Sequence, residues 1–450
     1  MHITVLNGSP KGKNSVTLQY VRMVAKMFPE VEFEYYNVVY KNLMKRSKKA
    51  LTDSLARTDL VLWSTPVYYL TVPGQLMAFE ELVFSDRALG DAFSGKNASC
   101  LLTSIHFFDH TAMQHLQAVS ERLGMNWFPG YSAEMEDLFK KPQLIRMKAF
   151  FKVLFSSIGA SHTIGRKFPD FDGTLPDFVL PEKTPTGITD KNILIITDFL
   201  KEGTGTEKIV HWLEKNGGAG VKILNLSESK IAGGCTGCCI CGYEGVCSYR
   251  DNFHLLFDDY ISKADIIFMT GAISPTSYLS SMWKIFQDRC FYQGHKPVYA
   301  GKTVAFVLDG KLSLNNHLRE LLEAYSDIGK IRLASITATD SRNFSEELIA
   351  VVERAHLMAS EPDYETVTFN KVAGMKLFRD FVYLISGFFR SDHKYYLKNG
   401  IYDFPQKNIK KRLINSAVGL ALSIPFIRHQ VNRQMIPKMV EPYKKAVEKA

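Results

Sequence analysis

"ITVLNGSPKGKNSVTLQYVRMVAKMF", residues 3–28, passes from a short apolar run through a polar loop into a helix pattern. Residues 3–6 read as a buried strand, 7–17 as the loop, and 17–28 as an amphipathic helix. The alternation continues with strands at 31–38, 59–69 and 97–104, and helices at 47–58, 72–84 and 111–124. Strands separated by helices imply parallel pairing, and hence a doubly wound α/β sheet. After residue 190 the order repeats: strands at 192–198 and 221–227, a strand and its loop at 265–277, a strand at 303–310, and helices at 205–217, 279–290 and 315–329. Between the copies, "KFPDFDGTLPDFVLPEKTPTG" (167–187) is rich in Pro, Gly and Asp and reads as a linker. The fold class is α/β: two tandem doubly wound parallel sheets and a basic helical C-terminal extension. The expected domains are 1–160, a linker at 161–190, 191–365 and a tail at 366–450.

At 450 residues and 46% apolar content the chain can bury ordinary cores. The net charge of +9 is uneven. Residues 370–450 hold 16 Lys/Arg against 5 Asp/Glu, so the body is close to neutral. No apolar run reaches the ~18 residues of a membrane span, and a strand pattern at residue 2 leaves no room for a signal peptide. A cytoplasmic location follows as the expectation. In that reducing setting clustered cysteines point to metal or redox chemistry more than to disulfides. Cys100 and Cys290 sit in apolar surroundings and read as inert core.

The loop 7–17 holds Gly8 for a tight turn and has hydroxyl and amide donors, Lys11 and Lys13, and no acid. Leading straight into a helix N-terminus, it suits an anion such as phosphate. Two other loops, "STPVYYLTVPGQLMAF" (64–79) and "TSIHFFDHTAMQHL" (103–116), end neighbouring strands, where ligands of open α/β sheets bind. Gly8-Ser9-Pro10, Pro66-Val67-Tyr68 and Gln75-Leu76-Met77-Ala78-Phe79 together resemble the NADPH-dependent FMN reductase branch of the flavodoxin-like superfamily, over residues 1–130. The resemblance implies FMN, with its phosphate at Ser9, Lys11, Asn14, Ser15, Val16 and Thr17. It places the isoalloxazine near Pro66, Val67, Tyr68, Tyr69 and Leu70 and near Ser104, Ile105, His106 and Phe107. His106 is the candidate proton donor, against the alternative of a polar loop residue; His110 is read in the same way. NAD(P)H is the implied hydride donor.

In the second copy the matching loop, "TDFLKEGTGTEK" (197–208), lacks Ser-Pro and carries acids, which argues against a second phosphate. What that copy has instead is "GGCTGCCICGYEGVC" (233–247). The step from Asn225 to Asp265 spans 40 residues where Asn37 to Asp59 spans 22, so the cysteine loop is an insertion. Cys235, Cys238, Cys241 and Cys247 give C-x2-C-x2-C-x5-C, with Cys239 as the spare. Zinc prefers two separated knuckles or a Cys/His mixture, whereas compact triplets suit a 4Fe-4S cluster. A thiol–disulfide pair is the third reading. The spacing and its place after the second strand are similar to the iron–sulfur flavoproteins, in which a cluster lies near the flavin of a neighbouring subunit. The expectation is an internal pseudo-dimer, with FMN in copy one and the cluster in copy two.

The function expected is electron transfer between the two groups, with a small-molecule or protein donor and acceptor. Alternatives are reduction of a small organic substrate and a non-enzymatic electron carrier. The basic, apolar tail reads as helices covering the domains or sealing a homo-oligomer, as a contact with an anionic membrane surface at its inner face, or as a dock for an acidic carrier. No recognition motif accompanies its charge, which argues against nucleic acid.

Overall fold

A strand covered by helices on both faces needs apolar side chains on both, and β1 (His2–Asn7) is buried along its whole length. β1 pairs in parallel with β2 (Glu32–Asn37) on one side and β3 (Leu60–Pro66) on the other. β4 (Asn97–Thr103) follows β3, and two short strands, β5 (Asn126–Trp127) and β6 (Tyr131–Ala133), complete the edge against β4. The order β2-β1-β3-β4-β5 changes direction between β1 and β3. The computed structural model describes residues 1–448 apart from Tyr40, Phe199 and Gly294.

The second sheet repeats the winding with β7 (Ile193–Thr197), β8 (Lys222–Asn225), β9 (Ile266–Ala272), β10 (Thr303–Asp309) and β11 (Arg332–Ala338), in the order β8-β7-β9-β10-β11. The registers equate the two sheets residue by residue. Leu60 faces Ile3 and Asn97 as Ile266 faces Ile193 and Thr303. Counting on, Asp198 occupies the position of Gly8, and Asp309 that of Thr103.

Both edges, β5/β6 and β11, and the helix Phe344–Ser360 went unread in the sequence. The first edge is broken at residues 128–130 because the chain must pass Cys100. A Cβ at Gly130 would lie 2.2 Å from the Cys100 sulfur, so only glycine fits there. Cys100 and Cys290 are both buried, as expected.

Two apolar clusters each belong to one sheet, and a third is shared, joining Trp63, Leu76 and Phe79 to Trp283, Phe286 and Tyr325. At its centre cross the helices Gly74–Ser85 and Ser281–Arg289, equivalents in the two copies. They approach so closely that a Cβ at Gly74 would meet the Ile285 nitrogen at 2.7 Å. Each helix receives an acid from the other. Gly74 N–H donates to Asp288 Oδ2 at 2.8 Å, and Ser281 N–H and Oγ donate to Glu81 at 2.5 and 2.6 Å. This exchange satisfies helix N-termini that burial would otherwise orphan.

Residues 160–192 carry no helix or strand. They are nonetheless held to the body: Phe168 lies 4.8 Å from the His317 ring, Arg122 lies 4.9 Å over Phe171, and Trp212 Nε1–H donates to Pro181 O at 3.1 Å.

The expectation that the body ends near residue 365 needs correction. The compact unit holding both sheets runs from Met1 to His393, and a second unit spans Lys394–Ala450. The helix Phe369–Leu384 belongs to the first because Gly374 and Phe378 pack on the Phe107 ring. The second unit contains the helices Ile409–Leu422 and Pro425–Val447. No helix among the described residues is long and apolar enough to cross a membrane.

Candidate functional site

The loop after β1 is built around Asn7. Its buried side chain donates to Gly12 O at 3.0 Å and to Asn37 Oδ1 at 2.5 Å, and accepts from Ser9 N–H at 3.3 Å. Turn bonds from Gly12, Asn14 and Ser15 N–H to Ser9, Lys11 and Gly12 carbonyls wind the segment toward the helix Val16–Met27. The first N–H groups of that helix, at Val16 and Thr17, have no intrahelical partner by construction. Ser15 caps the helix through Leu18 N–H, and Thr17 Oγ1 is paired with Thr103 Oγ1 at 2.6 Å. Ser9 Oγ is buried and accepts from Lys11 N–H at 3.3 Å, and Lys11, Lys13 and Asn14 are the exposed side chains of the loop. With two lysines and no acid, it fits a phosphate.

The loop after β3 is strained. Tyr68 and Thr71 exchange backbone bonds at 2.7 and 3.2 Å around Tyr69 (φ 41°) and Leu70 (φ 74°). Two successive non-glycine residues in left-handed backbone each cost about 1–3 kcal/mol, and two anchors hold them. Thr111 Oγ1 donates to Leu70 O, and Lys284 Nζ, from the second copy, donates to Tyr68 O at 2.8 Å. Val67 N–H is committed to Thr103 O, so it is not free for a ring, and Pro66 closes β3.

In the loop after β4, His106 (φ 56°) donates its N–H to Ser104 Oγ at 2.9 Å and places Nδ1 2.9 Å from Asp109. Burial would raise the Asp109 pKa, but hydrogen bonds from His106 and Ser132 outweigh it and hold the carboxyl below its usual range. An Nδ1–H directed at Asp109 leaves Nε2 as the free nitrogen. The imidazole is about half exposed. Ile105 is exposed, whereas Phe107 packs on Phe108, Phe378 and Gly374. His110 pairs with Glu320.

All five loop cysteines line one small concavity with Tyr249, Arg289 and Tyr292. Among the described residues no three His, Cys, Asp or Glu side chains converge tightly enough to hold a single metal ion. Thiolates are soft donors, but among the described residues the structure as it stands brings no ligand set together on them. Burial pushes the Cys235 and Cys241 thiols up to about 12 and about 11, so a metal would have to drive off their protons. Gly237 N–H points at Cys235 Sγ at 3.4 Å, the kind of donor that steadies a ligating sulfur. Cys239 turns back on its own loop toward Gly237 O.

Arg289 organises this loop. Its guanidinium, fully buried, donates to both Asp251 oxygens at 2.7 and 2.8 Å and to Gly233 O at 2.9 Å, between the Tyr249 and Phe253 rings. Hydrogen bonding from Arg289 holds the Asp251 carboxyl down at about 2.

The cysteine loop lies directly on the loops of the first copy. A Cβ at Gly237 would stand 2.0 Å from the Tyr68 hydroxyl and 3.0 Å from Lys11 Cε. Gln75 Nε2 donates to Cys235 O at 3.0 Å, and Phe291 bridges Tyr69 (5.3 Å) and the Cys241 sulfur, which meets its carbonyl at 3.5 Å.

The equivalent of the phosphate cradle in the second copy is filled by protein. Asp309, buried opposite the start of helix Gly205–Asn216, would sit 2.3 Å from a Cβ at Gly205. Glu207 accepts from Gly203 N–H at 2.7 Å. The equivalent of Asp309 in the first copy is the neutral Thr103. Asp198, at the position of Gly8, is raised to about 6 by burial, with Glu81 adding to the effect and Ser280 opposing it. A raised folded-state value means that stability falls as pH climbs from 3.8 to about 6 and stays low above it. Asp198→Asn should therefore raise unfolding free energy by up to ~3 kcal/mol near pH 8 and by almost nothing near pH 4. Urea midpoints at the two pH values check this, and an equal gain at both would sink it.

Residues 1–136 match the family model described as NADPH-dependent FMN reductase. No curated protein matches the chain. Solved structures similar to part of it include FerB, a flavoenzyme NAD(P)H:(acceptor) oxidoreductase from Paracoccus denitrificans, at 18% identity over 36% of this chain and 99% of that one, TM-score 0.30. General stress protein 14 from Treponema denticola, in complex with FMN, is 10% identical over 35% of this chain and 98% of its own, TM-score 0.28. The NAD(P)H:quinone oxidoreductase from Methanothermobacter marburgensis is 11% identical over 34% and 98%, TM-score 0.26.

Proposed function

We propose, from a first α/β unit of the NADPH-dependent FMN reductase type, that the chain is an FMN-dependent oxidoreductase whose second unit holds a 4Fe-4S cluster on Cys235, Cys238, Cys241 and Cys247. NAD(P)H is oxidised by loss of a hydride, two equivalents of a one-electron protein carrier are reduced, and one proton is released. When bound, FMN supplies exchange of electrons in ones and twos and the cluster exchange in ones. The observation that carries the reading is the contact of the cysteine loop with the first copy at Gly237 and Tyr68.

The residues have separate tasks. The cradle at 9–17 neutralises a phosphate with Lys11, Lys13 and a helix N-terminus. The strained turn at Tyr69 and Leu70, braced by Thr111 and Lys284, fixes the surface a flat ring would meet. His106, oriented by Asp109, holds or passes a proton at Nε2. Tyr68, Tyr69 and Phe291 fill the space between the two loops and keep water out. Arg289 places a fixed positive charge beside thiolates that carry negative charge once metal is bound.

Anaerobically purified protein should contain one FMN per chain, with iron and acid-labile sulfide, and its flavin absorbance should bleach rapidly with NADPH or NADH. Two FMN per chain, or stoichiometric zinc without iron, would overturn the assignment. Iron and flavin with no bleaching by either nucleotide would leave an electron carrier instead of a reductase.

A further inference from the structure

The two helices of the C-terminal unit, Ile409–Leu422 and Pro425–Val447, contact each other and are joined by a turn of only two residues. Residues 413–427 contain no charge, yet their apolar side chains stand in the open: Leu413 is 66% exposed, Leu420 74%, Ile424 50% and Phe426 73%. Exposure runs all round the first helix, not along one face. A protein groove takes one face of a helix, whereas lipid accepts apolar side chains in every direction.

Charge narrows the occupant further. Between residues 404 and 440 the chain has seven Lys/Arg and no Asp or Glu. Lys410, Lys411 and Arg412 fall in the first helical turn, where no acid offsets them and the helix dipole disfavours cations. An external anion would relieve that. The same stretch of a second copy offers no such anion, because residues 404–440 carry no Asp or Glu. The uncharged run is 15 residues, interrupted at Pro425, too short for the ~20 residues of a spanning helix.

We propose that this helical pair is a monotopic anchor for anionic lipid: the tip at 413–427 enters the acyl boundary of one leaflet, and the cations flanking it meet acidic headgroups. The inference is independent of the redox reading.

The test is co-sedimentation of the full-length protein with vesicles of equimolar phosphatidylglycerol and phosphatidylcholine, against phosphatidylcholine alone. At low salt the protein should partition at least about tenfold more into the acidic vesicles, and that preference should collapse at 1 M salt, where screening acts beyond ~3 Å. Lys410→Gln/Lys411→Gln/Arg412→Gln should weaken acidic-vesicle binding by about 10- to 100-fold. Leu420→Asp/Ile424→Asp should bring it to background. Both sets alter exposed positions, and circular dichroism would confirm unchanged folding. No binding to acidic vesicles at low salt, undiminished binding by the Asp variant, or a soluble dimer of the full chain that the Asp variant dissociates would each overturn the anchor.

Discussion

Lys284→Met should lower the unfolding free energy by roughly 3–5 kcal/mol, the cost of stranding a buried charge. Lys284 and Asp288 are both fully inaccessible, one helical turn apart, in the middle of the contact between the two copies. Burial pulls the Lys284 pKa down and pushes the Asp288 pKa up, and the attraction between them opposes both shifts. Methionine keeps most of the lysine stem, so little cavity opens. What is lost is the partner of Asp288, which would retain only the Gly74 N–H, and the donor to the Tyr68 carbonyl. Lys284→Met/Asp288→Asn should recover most of the loss, since an amide oxygen can still accept from Gly74. Denaturant midpoints compare the two. Flavin affinity gives a second readout, because neither variant holds Tyr68, and both should bind FMN more weakly at temperatures where they are fully folded. A double variant as unstable as the single would mean that the stranded charge is not the cause.

The local half of this site was legible and the long-range half was not. The loop at 7–17 and the C-x2-C-x2-C-x5-C loop are short windows whose residue types suggest a chemistry on their own. The repeat was legible too, because doubly covered strands are continuous apolar runs. What escaped lies across the fold. Lys284 meets Tyr68 over 216 positions, and Gln75 meets Cys235 over 160. Asp309 blocks the second cradle from the end of a different strand, so the acids at 197–208 were only part of the reason that loop differs. Composition also failed to divide the tail. The stretches 373–391 and 407–435 read alike as basic and apolar, yet Phe378 packs on Phe107 while Leu413 and Leu420 lie open. Short edges such as β5 and β6, split around Pro129 and Gly130, carry too few residues to show a period.

Cys241→Ser should reduce iron and acid-labile sulfide by roughly tenfold or more while leaving one FMN per chain, because a hydroxyl is a hard, weak substitute for a soft thiolate. Cys241 is the informative choice. It sits in the short helix Ile240–Glu244, its sulfur faces the Phe291 carbonyl, and Phe291 in turn touches Tyr69, so this thiol lies on the side toward the first copy. Serine preserves its size, so the loop should keep its course through Arg289, Asp251 and Gly233. Cys239→Ser is the matched control. That residue lies two positions away in the same loop, and its thiol is turned toward Gly237 O in left-handed backbone (φ 61°). It should retain its iron. If both variants lose iron equally, the ligand set is not the four cysteines assigned, and Cys239 exchanges with Cys238. If neither does, Cys241 is not a ligand. Should both lose iron and FMN together, the two sites are one folding unit, and the contact at Gly237 and Tyr68 couples their assembly and not only their electrons.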